Sequence, residues 1–584
     1  MPSPGRRRCL VELLLAPPLA LTFGGCRSPG AGTGRGAAGP RLPDAPFAMG
    51  VASGDPSTDG FVIGTRLIGA AAADAPIDPV PIAVTWEVAD DPSFARVVAG
   101  GRTLALPAFA HAVQVEVEGL RPDRWYWYRF HAGRGDSSAT SPVGRSRTTP
   151  AASADARARA GRWRLAFASC QQYEQGYYGA YRHMLADDVD LVVFLGDYIY
   201  ESSWGKHHVR HHGSPEPVTL DEYRARYALY RSDPHLQAMH AAVPWVAVWD
   251  DHEVQNDYAD DQGPDLAVGF LQRRAAGYRA WAETIPQRPM ARRIAQAVAC
   301  EAAAGSGGLA GLGGSGGSGG PGGPGGPWGP GGSGRADARR CSPATADWQH
   351  WPIHRQLDLG PLASLMLLDD RQYRSHQACP LPGRGGGRVV RDCASLRDPS
   401  RTLLGFEQER WLDQRLRASR ATWTLIGQQT LFSKADRQPG PGEAFSTDTW
   451  DGYPAARQRL LDSIAGSRAP NPLIIGGDVH ANWVSGVRAD FDRPDAPVIA
   501  SEFCGTSITS QGTSQARHDE ARAENPWFLL AESRHRGYGL MTLDARRCVT
   551  ELRIVDDVRR PDPAVSTLAA FEVLAGQPGP RQIG

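Results

Sequence analysis

Residues 191–201 read LVVFLGDYIYE, an apolar run that ends abruptly in glycine, aspartate, tyrosine and glutamate. Such an uninterrupted apolar run predicts a strand that is buried on both faces, as in a parallel sheet covered by helices. Three more segments have the same form: LAFASC at 165–170, WVAVWDDHE at 245–253 and LIIGGDVH at 473–480. Because function in open α/β sheets collects beyond the carboxyl ends of the strands, we expect the chemistry of this protein there.

The sequence around these four segments alternates short buried strands with amphipathic helices, which predicts an α/β layered domain over residues 160–560. The predicted strands span 165–169, 191–195, 245–249, 365–368, 423–427, 473–476 and 498–503. The predicted helices span 177–186, 220–230, 271–285, 406–418 and 455–464.

Residues 45–150 have a different pattern, in which short alternating strands such as IAVTWEV at 82–88 are separated by turn residues. This pattern predicts a β-sandwich of immunoglobulin or fibronectin-like type in front of the α/β domain. Residues 305–334 are almost entirely Gly, Ser and Pro, so we expect a disordered insertion within the α/β domain. The last segment, 561–584, is interpreted as a tail with a short amphipathic helix over 567–575.

The amino terminus is predicted to be an export signal over residues 1–26, followed by a flexible linker over 27–44. Three arginines, Arg6, Arg7 and Arg8, precede an apolar run that is too short for a permanent membrane anchor and resembles a twin-arginine signal. The stretch LTFGGC at 21–26 resembles a lipoprotein cleavage site, so Cys26 is a candidate lipid anchor. We expect a periplasmic, cell-surface or secreted protein.

Charge and cysteine usage restrict the partners and the redox compartment. The chain has 63 basic and 63 acidic residues, so it has no global field that favours nucleic acid, and we expect a monomer. Of its nine cysteines, six lie outside both the leader and the strand end at Cys170. In an exported protein these six could pair as 300–341, 379–393 and 504–548, but six cysteines allow other connectivities.

The four strand ends together gather a thiol, several carboxylates, a phenol and two imidazoles. Taken singly, an Asp after Gly is commonly a turn and a loop His is commonly solvated, but four coincidences favour function. A phosphoester is anionic, so its hydrolysis needs positive charge, and two or more metals supply that charge and a hydroxide near neutral pH. A nearby unligated His can protonate the leaving group.

The motifs also resemble those of a known family. The chain resembles the PhoD-like alkaline phosphatase D group of metallophosphoesterases over roughly residues 47–558. The similar stretches are FAMGVASGDP at 47–56, Ser169-Cys170, GDYIYE at 196–201, WDDHE at 249–253, DTWDGYP at 448–454, GDVH at 477–480 and EFCGTSITS at 502–510. The resemblance implies a four-layer α/β/β/α metallophosphoesterase-like sandwich behind the amino-terminal β-sandwich.

Position by position, the resemblance implies a cluster of Fe³⁺ and Ca²⁺. Cys170 and Tyr200 would ligate the iron, and Asp197 would bridge two cations. Asp251 stands where the commoner motif has Asn and would add a carboxylate, while His252 would protonate the leaving group or stabilise the phosphate. The implied metal ligands are Cys170, Asp197, Tyr200, Asp251, Asn256, Asp478 and His480, and the implied catalytic residues are His252 and Asp251.

The function that follows is hydrolysis of phosphate monoesters and diesters by metal-activated hydroxide, on a small phosphoester, a phospholipid or a teichoic-type substrate. Alternatives are a phospholipase D-like phosphodiesterase and a catalytically weak surface-binding protein. A purple-acid-type phosphatase would need an Asp-x-His start to its first motif, and Ser169-Cys170 argues against it.

Several residues keep two interpretations at this stage. Cys170 is a ligand or a plain buried cysteine. Tyr198 and Tyr200 could both be packing aromatics, and the resemblance alone favours Tyr200 as the ligand. Arg371 contacts phosphate or forms a structural ion pair. The stretch KHHVRHH at 206–212 has the composition of a metal site, but an exposed basic loop at the rim, which could attract an anionic substrate, is the simpler interpretation.

Overall fold

The computed structural model describes residues 42–69, 77–133, 138–152, 161–305 and 347–584. The predicted export signal lies outside these residues, as do nearly all of the linker and, apart from Gly305, the predicted insertion. Within the described ranges, no helix has the length and hydropathy needed to cross a membrane.

The strands number β1 to β24 along the part of the chain that the structure describes. Eight precede residue 150: β1 Val51–Gly54, β2 Phe61–Arg66, β3 Ile82–Ala89, β4 Val97–Ala105, β5 Ala112–Val117, β6 Trp125–Ala132, β7 Ala139–Thr140 and β8 Gly144–Arg147. The others are β9 Trp163–Ala168, β10 Leu191–Leu195, β11 Trp245–Val248, β12 Arg355–Leu359, β13 Ala363–Leu367, β14 Val389–Val390, β15 Trp423–Gly427, β16 Phe445–Ser446, β17 Pro472–Gly476, β18 Asn482–Arg488, β19 Val498–Cys504, β20 Phe528–Glu532, β21 Arg536–Leu543, β22 Arg547–Val555, β23 Val565–Leu574 and β24 Gln577–Gln582.

Eight α-helices are described: α1 Gly179–Ala186, α2 Leu220–Arg231, α3 Pro234–Ala242, α4 Phe270–Thr284, α5 Arg288–Gly305, α6 Phe406–Ala418, α7 Pro454–Ser467 and α8 Gln515–Glu524. Each helix and strand predicted for residues 160–560 is present, with ends that differ by at most three residues. Helix α2 begins with a capping box, in which the Thr219 side chain accepts the Glu222 N–H and the Glu222 carboxylate accepts the Thr219 N–H. Helix α5 was not predicted.

Two large sheets dominate the described residues, and the fold is mixed α/β. A ten-stranded sheet has the order β24-β23-β22-β21-β9-β10-β11-β1-β2-β5, and a seven-stranded sheet has the order β12-β13-β15-β17-β19-β18-β20. Strands β9, β10 and β11 are parallel, as are β13, β15, β17 and β19. The carboxyl ends of neighbouring parallel strands therefore meet at one edge of each sheet.

Residues of the seven-stranded sheet alternate between two hydrophobic cores, because successive side chains of a strand point to opposite faces. Leu365, Leu425 and Leu473 share a core with residues of β9, β10 and β11. Their neighbours in sequence, Met366, Ile426 and Ile474, pack instead with buried residues of helices α6 and α7.

The amino-terminal strands do not form a separate sheet system. Strand β1 pairs in parallel with β11 at Gly54 and Trp245, so β1, β2 and β5 continue the ten-stranded sheet across the boundary predicted near residue 150. Strands β3, β4, β6, β7 and β8 form a second, antiparallel sheet. Side chains from both sheets, such as Phe61, Ile63 and Phe130, share one hydrophobic core.

The carboxyl-terminal segment is part of the sheet, and the predicted helix over 567–575 is wrong. Residues 565–574 form β23, which pairs antiparallel with β22. Ala569, Phe571 and Val573 are buried at a spacing of two, with partly exposed residues between them. The short run TLAAFEVLA at 567–575 is compatible with the period of a helix and with that of a strand, and pairing along β22 selects the strand.

One of the proposed disulfides is confirmed and one is wrong. Cys379 and Cys393 are bonded. Cys504 and Cys548 are both free and buried. They do not pair with each other: Cys504 lies in β19 of the seven-stranded sheet and Cys548 lies in β22 of the ten-stranded sheet. The pair 300–341 includes Cys341, which lies outside the described residues.

Candidate metal centre

The site forms where strands of both large sheets end. Cys170 follows β9, Asp197 follows β10, Asp251 follows β11, and Asp478 follows β17 of the seven-stranded sheet. The loops are tied together by backbone hydrogen bonds: Cys170 N–H donates to the Gly196 carbonyl at 3.1 Å, and the next amide donates to the Asp197 carbonyl at 3.1 Å.

Four of the predicted ligands have a left-handed backbone. The φ angles are 59° at Cys170, 57° at Asp197, 63° at Asp478 and 52° at His480. This conformation is uncommon for residues other than glycine and persists where the surrounding structure holds it, typically at functional sites. Strands β9, β10 and β17 are therefore each followed by a sharp turn.

Glycines allow the strand ends to approach each other closely. A Cβ at Gly196, whose φ is 100°, would lie 2.4 Å from the Asp250 Cβ. A Cβ at Gly477 would lie 2.3 Å from the Ser169 Oγ. Both distances are shorter than any real contact, which explains why each of these aspartate motifs contains glycine.

Three groups of donor atoms form a continuous series, with the atoms of each group within 4.8 Å of one another. The first consists of Cys170, Asp197 and His480, and the second of Asp197, Asp251 and His252. Asp197 belongs to both and is therefore placed to bridge two cations. The third group consists of Asp251, Asp257 and Asp448, so Asp251 is shared in the same way.

Tyr200 lies inside the first group, whereas Tyr198 lies outside it. The Tyr200 hydroxyl donates to Asp197 Oδ2 at 2.7 Å and lies 3.1 Å from His480 Nε2. It also accepts a hydrogen bond from Ser510 Oγ at 2.8 Å. The Tyr198 hydroxyl instead contacts His240 Nε2 at 2.7 Å, and its ring packs in the core.

Two predicted ligands are placed less directly. Asp478 belongs to none of the donor groups found in the described residues, and its Oδ2 accepts a hydrogen bond from Thr430 Oγ1 at 2.5 Å. Asn256 is exposed, and its backbone N–H donates to Glu201 Oε1 at 2.9 Å. The next residue, Asp257, supplies the carboxylate of the third group and donates its own N–H to Asp251 Oδ2 at 2.7 Å. Asp257 was missed in the sequence, where the only signal was a further acid six residues after Asp251.

His252 is buried beside an acid that orients it. Its Nδ1 lies 2.6 Å from Glu201 Oε2, and its ring centroid is 4.0 Å from that of Tyr200. The Glu201, Asp197 and Asp251 carboxylates outweigh the burial of His252 and raise the pKa of its imidazole well above the ordinary value. Since Glu201 holds Nδ1, Nε2 is the nitrogen left for another partner.

Glu253, the last residue of the Asp-His-Glu motif, holds backbone rather than a cation. Its Oε1 accepts the Tyr198 N–H at 2.5 Å, and its Oε2 accepts the Asp197 N–H at 3.1 Å and the Asp250 N–H at 2.8 Å. One buried carboxylate therefore joins the loop after β10 to the loop after β11.

Arg371 is fully buried and forms structural ion pairs, which decides between its two interpretations. Its guanidinium pairs with Asp250, lies 2.9 Å from Asp448 Oδ2 and lies 3.5 Å from Asp251 Oδ2. Burial opposes ionisation of Asp251, but Arg371 and His252 outweigh it and hold the pKa of Asp251 below its ordinary value.

Carboxyl groups outnumber cationic groups at the site. In the described part of the chain, eight neighbouring carboxyl groups lie around Arg371, Arg374 and His252, and burial together with mutual repulsion raises the pKa of several of them, Asp197 and Asp250 included. The buried Oδ2 of Asp250 has no hydrogen-bond partner among the described residues. The eight are Asp197, Glu201, Asp250, Asp251, Glu253, Asp257, Asp448 and Asp478.

The donor types fit bound cations. Burial, followed by the Asp197 carboxylate, raises the pKa of both the Cys170 thiol and the Tyr200 phenol well above their ordinary values. Burial lowers the pKa of His480 to about 3, so its imidazole is neutral and can offer a lone pair. A cation in this position would stabilise the thiolate of Cys170 and the phenolate of Tyr200, and would therefore lower both pKa values again.

A cleft of about 700 Å³ opens beside Asp478 and His480. Acids of the donor groups line one part of it, and the other walls carry basic and aromatic side chains. These wall residues include Trp204, Arg388, Arg437, Trp483, Arg517 and His518. The walls also carry one acid, Glu520, so a phosphate group that reaches the donor-group acids from solvent passes the guanidinium groups of Arg388, Arg437 and Arg517 as well as one carboxylate.

Comparisons with known proteins identify the family of this chain. A family model described as "PhoD-like phosphatase" matches residues 165–312 and 336–552, and one described as "PhoD-like phosphatase, N-terminal domain" matches residues 34–150. The chain is 37% identical to alkaline phosphatase D of Bacillus subtilis (strain 168) over 557 aligned residues, which cover 94% of this chain and 84% of that protein. A solved structure described as "Structure of PhoD" is 35% identical, with a TM-score of 0.76 and 94% of each chain covered. The predicted resemblance is confirmed: the chain belongs to the PhoD-like phosphatase family and is a phosphoric ester hydrolase.

Proposed function

We propose that this chain is an exported, metal-dependent hydrolase of phosphate monoesters and diesters. The observation that carries the proposal is the series of three donor groups linked by Asp197 and Asp251. Shared carboxylates are what a cluster of two or more cations requires. The alternative of a catalytically weak surface-binding protein would not need buried, linked donor groups that open to a cleft.

The two ends of the series suit different cations. Cys170, Tyr200, Asp197 and His480 would hold Fe³⁺, because thiolate and phenolate are the donors that set this end apart. Asp251, Asp257 and Asp448 offer only carboxylate oxygens, which suit Ca²⁺. When bound, such cations neutralise the charge of the ester and lower the pKa of water to near neutrality.

The protein's own contribution is orientation and a proton. Glu201 fixes the His252 ring through Nδ1, and Glu253 holds the Asp197 and Asp250 amides in place. In this proposal, Nε2 of His252 donates the proton that the leaving oxygen takes up. Arg371 keeps Asp251 ionised without contacting the substrate.

Diesters are supported by the shape of the cleft. The cleft extends past the acids toward Arg437 and Arg517 and leaves room for a second group on the phosphate. Phospholipid and teichoic-type substrates, and a phospholipase D-like activity, belong to this part of the proposal. The rim, rather than the donor groups, would then select the substrate.

We also propose the finer architecture and the location. The shared core between the two large sheets, with α6 and α7 behind the seven-stranded one, supports a four-layer α/β/β/α sandwich. The common core of residues before 150 supports an amino-terminal sandwich domain. Export through a twin-arginine signal, with Cys26 as a candidate lipid anchor, rests on the sequence, and the bonded cysteines Cys379 and Cys393 support an oxidising compartment.

The ligand assignment is tested by elemental analysis and by hydrolysis of 4-nitrophenyl phosphate and bis(4-nitrophenyl) phosphate. We expect Cys170→Ser to lose iron and at least about 100-fold in kcat/KM. Cys548→Ser, which changes another buried free thiol, should keep its iron and its kcat/KM. Wild-type protein without iron, or Cys170→Ser with full activity, would refute the assignment.

The proton donor is tested with two leaving groups. We expect His252→Gln to retain its cations and to lose about 10²–10⁴-fold in kcat on an alkyl phosphate, because alkoxide needs a proton to leave. The loss should be much smaller on 4-nitrophenyl phosphate, whose leaving group is stable as an anion. An equal loss on both substrates would contradict the role of His252 as the acid.

A further inference from the structure

A second cluster of donor atoms lies outside the catalytic series, in the loop that contains KHHVRHH. Donor atoms of Glu174, His208 and His211 all lie within 4.8 Å of one another. Nδ1 of His208 is 4.0 Å from Glu174 Oε2, and Nδ1 of His211 is 3.8 Å from Glu174 Oε1. The catalytic function proposed above uses none of these residues.

Glu174 is an independent sign of a missing partner. The residue is only 3% exposed, and its buried Oε2 has no hydrogen-bond partner among the described residues. The hydroxyl of Ser203 lies close enough to lower the pKa of Glu174, but it does not form a hydrogen bond of ordinary geometry with Oε2. A buried carboxylate oxygen without a partner is costly, and a cation would remove that cost.

The histidine contacts show which nitrogens are free. Nε2 of His208 lies 2.7 Å from the Trp204 carbonyl, so Nε2 carries the proton and Nδ1 offers a lone pair toward Glu174. Histidines that bind metals typically donate their second N–H to a carbonyl in this way. Nδ1 of His212 also lies 3.6 Å from Glu174 Oε2, but it accepts a hydrogen bond from Arg226 Nη1 at 3.1 Å, so its lone pair is occupied and His212 is excluded as a ligand.

We propose that Glu174, His208 and His211 bind a Zn²⁺ ion. Imidazole and carboxylate are ordinary zinc ligands, and the side chain of His211 is 78% exposed, so water can complete the coordination. Bond lengths of about 2.0–2.1 Å place tetrahedral donors roughly 3.4 Å apart. The two histidine–glutamate distances of 4.0 and 3.8 Å must therefore shorten by about half an ångström, and the two imidazoles, whose donor atoms lie within 4.8 Å, must approach each other as the exposed loop closes.

The site would join two segments that flank the catalytic series. Glu174 lies four residues after Cys170, and His208 lies in the loop that follows Tyr200. Trp204, whose carbonyl holds His208, stacks on His480 with a centroid distance of 5.7 Å and an interplanar angle of 6°. A zinc ion here would therefore fix the rim loop that covers His480.

The test uses the full chain with its catalytic cations bound, and Zn²⁺ alone as the probe. Zinc binding is measured by competition with a chromophoric chelator, so the readout is independent of hydrolysis. His211→Asn is the main variant because the exposed side chain can change without disturbing the core. His207→Asn is the matched control: His207 is exposed in the same loop, and asparagine tolerates its φ of 58°.

We expect the wild type and His207→Asn to bind one more equivalent of zinc than His211→Asn, with at least a tenfold difference in affinity for that equivalent. His208→Asn and Glu174→Gln should show the same loss. Equal zinc binding by wild type and His211→Asn would overturn the proposal, as would no binding by wild type. A fall in affinity for an anionic substrate in His211→Asn, with unchanged zinc binding, would show a basic rim loop instead.

Discussion

Replacing Glu253 with glutamine tests how the loops of the site are held together. The glutamate accepts three buried backbone N–H groups, from Asp197, Tyr198 and Asp250. An amide has one acceptor oxygen, so its NH₂ group must face at least one of these donors. Burial raises the pKa of Glu253 to about 7, so the carboxylate form prevails at alkaline pH. There, hydrogen bonds to the charged group contribute about 1.5–3 kcal/mol each, and we expect the variant to be destabilised by about 2–4 kcal/mol.

The same change should weaken the cation site, because the Asp197 amide precedes the carboxylate that two donor groups share. Loss of a supporting hydrogen bond typically lowers metal affinity by about 10–100-fold. We therefore expect kcat/KM of Glu253→Gln to fall by this factor at limiting cation and to recover at saturating cation. The measurements are urea unfolding and activity titrated with the cations.

Glu502→Gln is the matched control. Glu502 is equally buried and accepts the Phe432 N–H at 2.7 Å, the Ser433 N–H at 3.0 Å and the Ser485 hydroxyl at 3.1 Å. We expect Glu502→Gln to be destabilised about as much as Glu253→Gln. The dependence of its kcat/KM on cation concentration should match that of the wild type. The reasoning is refuted if Glu253→Gln keeps the wild-type cation dependence, or if both variants change it equally.

Two other predictions concern stability. Replacing Cys379 and Cys393 with serine removes a disulfide that closes a loop of sequence separation 14, and should destabilise the protein by about 3 kcal/mol in urea unfolding. A reductant should destabilise the wild type by the same amount and leave the double serine variant unchanged. A wild type whose stability does not respond to the reductant would contradict this prediction. Burial lowers the pKa of His240, which stacks on Trp245 and contacts Tyr198, well below its ordinary value of 6.5. The unfolded chain then binds a proton that the folded chain excludes, so the contribution of His240 alone should lower stability by about 1.4 kcal/mol per pH unit below about pH 6.5. His240→Gln, measured by urea unfolding from pH 7.5 to 5, should show a flatter acid limb, and an unchanged slope would argue against this.

Much of the α/β domain could be predicted because its strands are short apolar runs bounded by turn residues. The predicted ranges 191–195 and 423–427 coincide with β10 and β15. The helix predicted at 567–575 failed because the segment fits two periods, and only the partner strand β22 distinguishes them. Helix α5 was missed although its sequence carries a helix signal, because Met290, Ile294 and Val298 recur every four residues and Pro289 stands in its first turn.

The types of donor side chain at the site could be predicted from the sequence, but which of them lie close enough to share a cation could not. Asp257 was missed because its place depends on how the loop after β11 folds back, with the Asp257 N–H on Asp251. The role of Glu253 was invisible for the same reason, since backbone amides carry no signal in a sequence. Arg371 had two equal interpretations until its burial between Asp250 and Asp448 decided for ion pairs.

The sequence by itself determined the chemistry of this protein: which strands are buried, and that each ends in thiol, carboxylate, phenol or imidazole groups. These are local properties, because hydrophobic runs and glycine turns depend on neighbouring residues. Only the tertiary structure decided which groups are shared, which are held by hydrogen bonds and which are left without a partner. Those properties depend on distances between the ends of β9, β10, β11 and β17, strands of two different sheets, and packing between the sheets determines those distances.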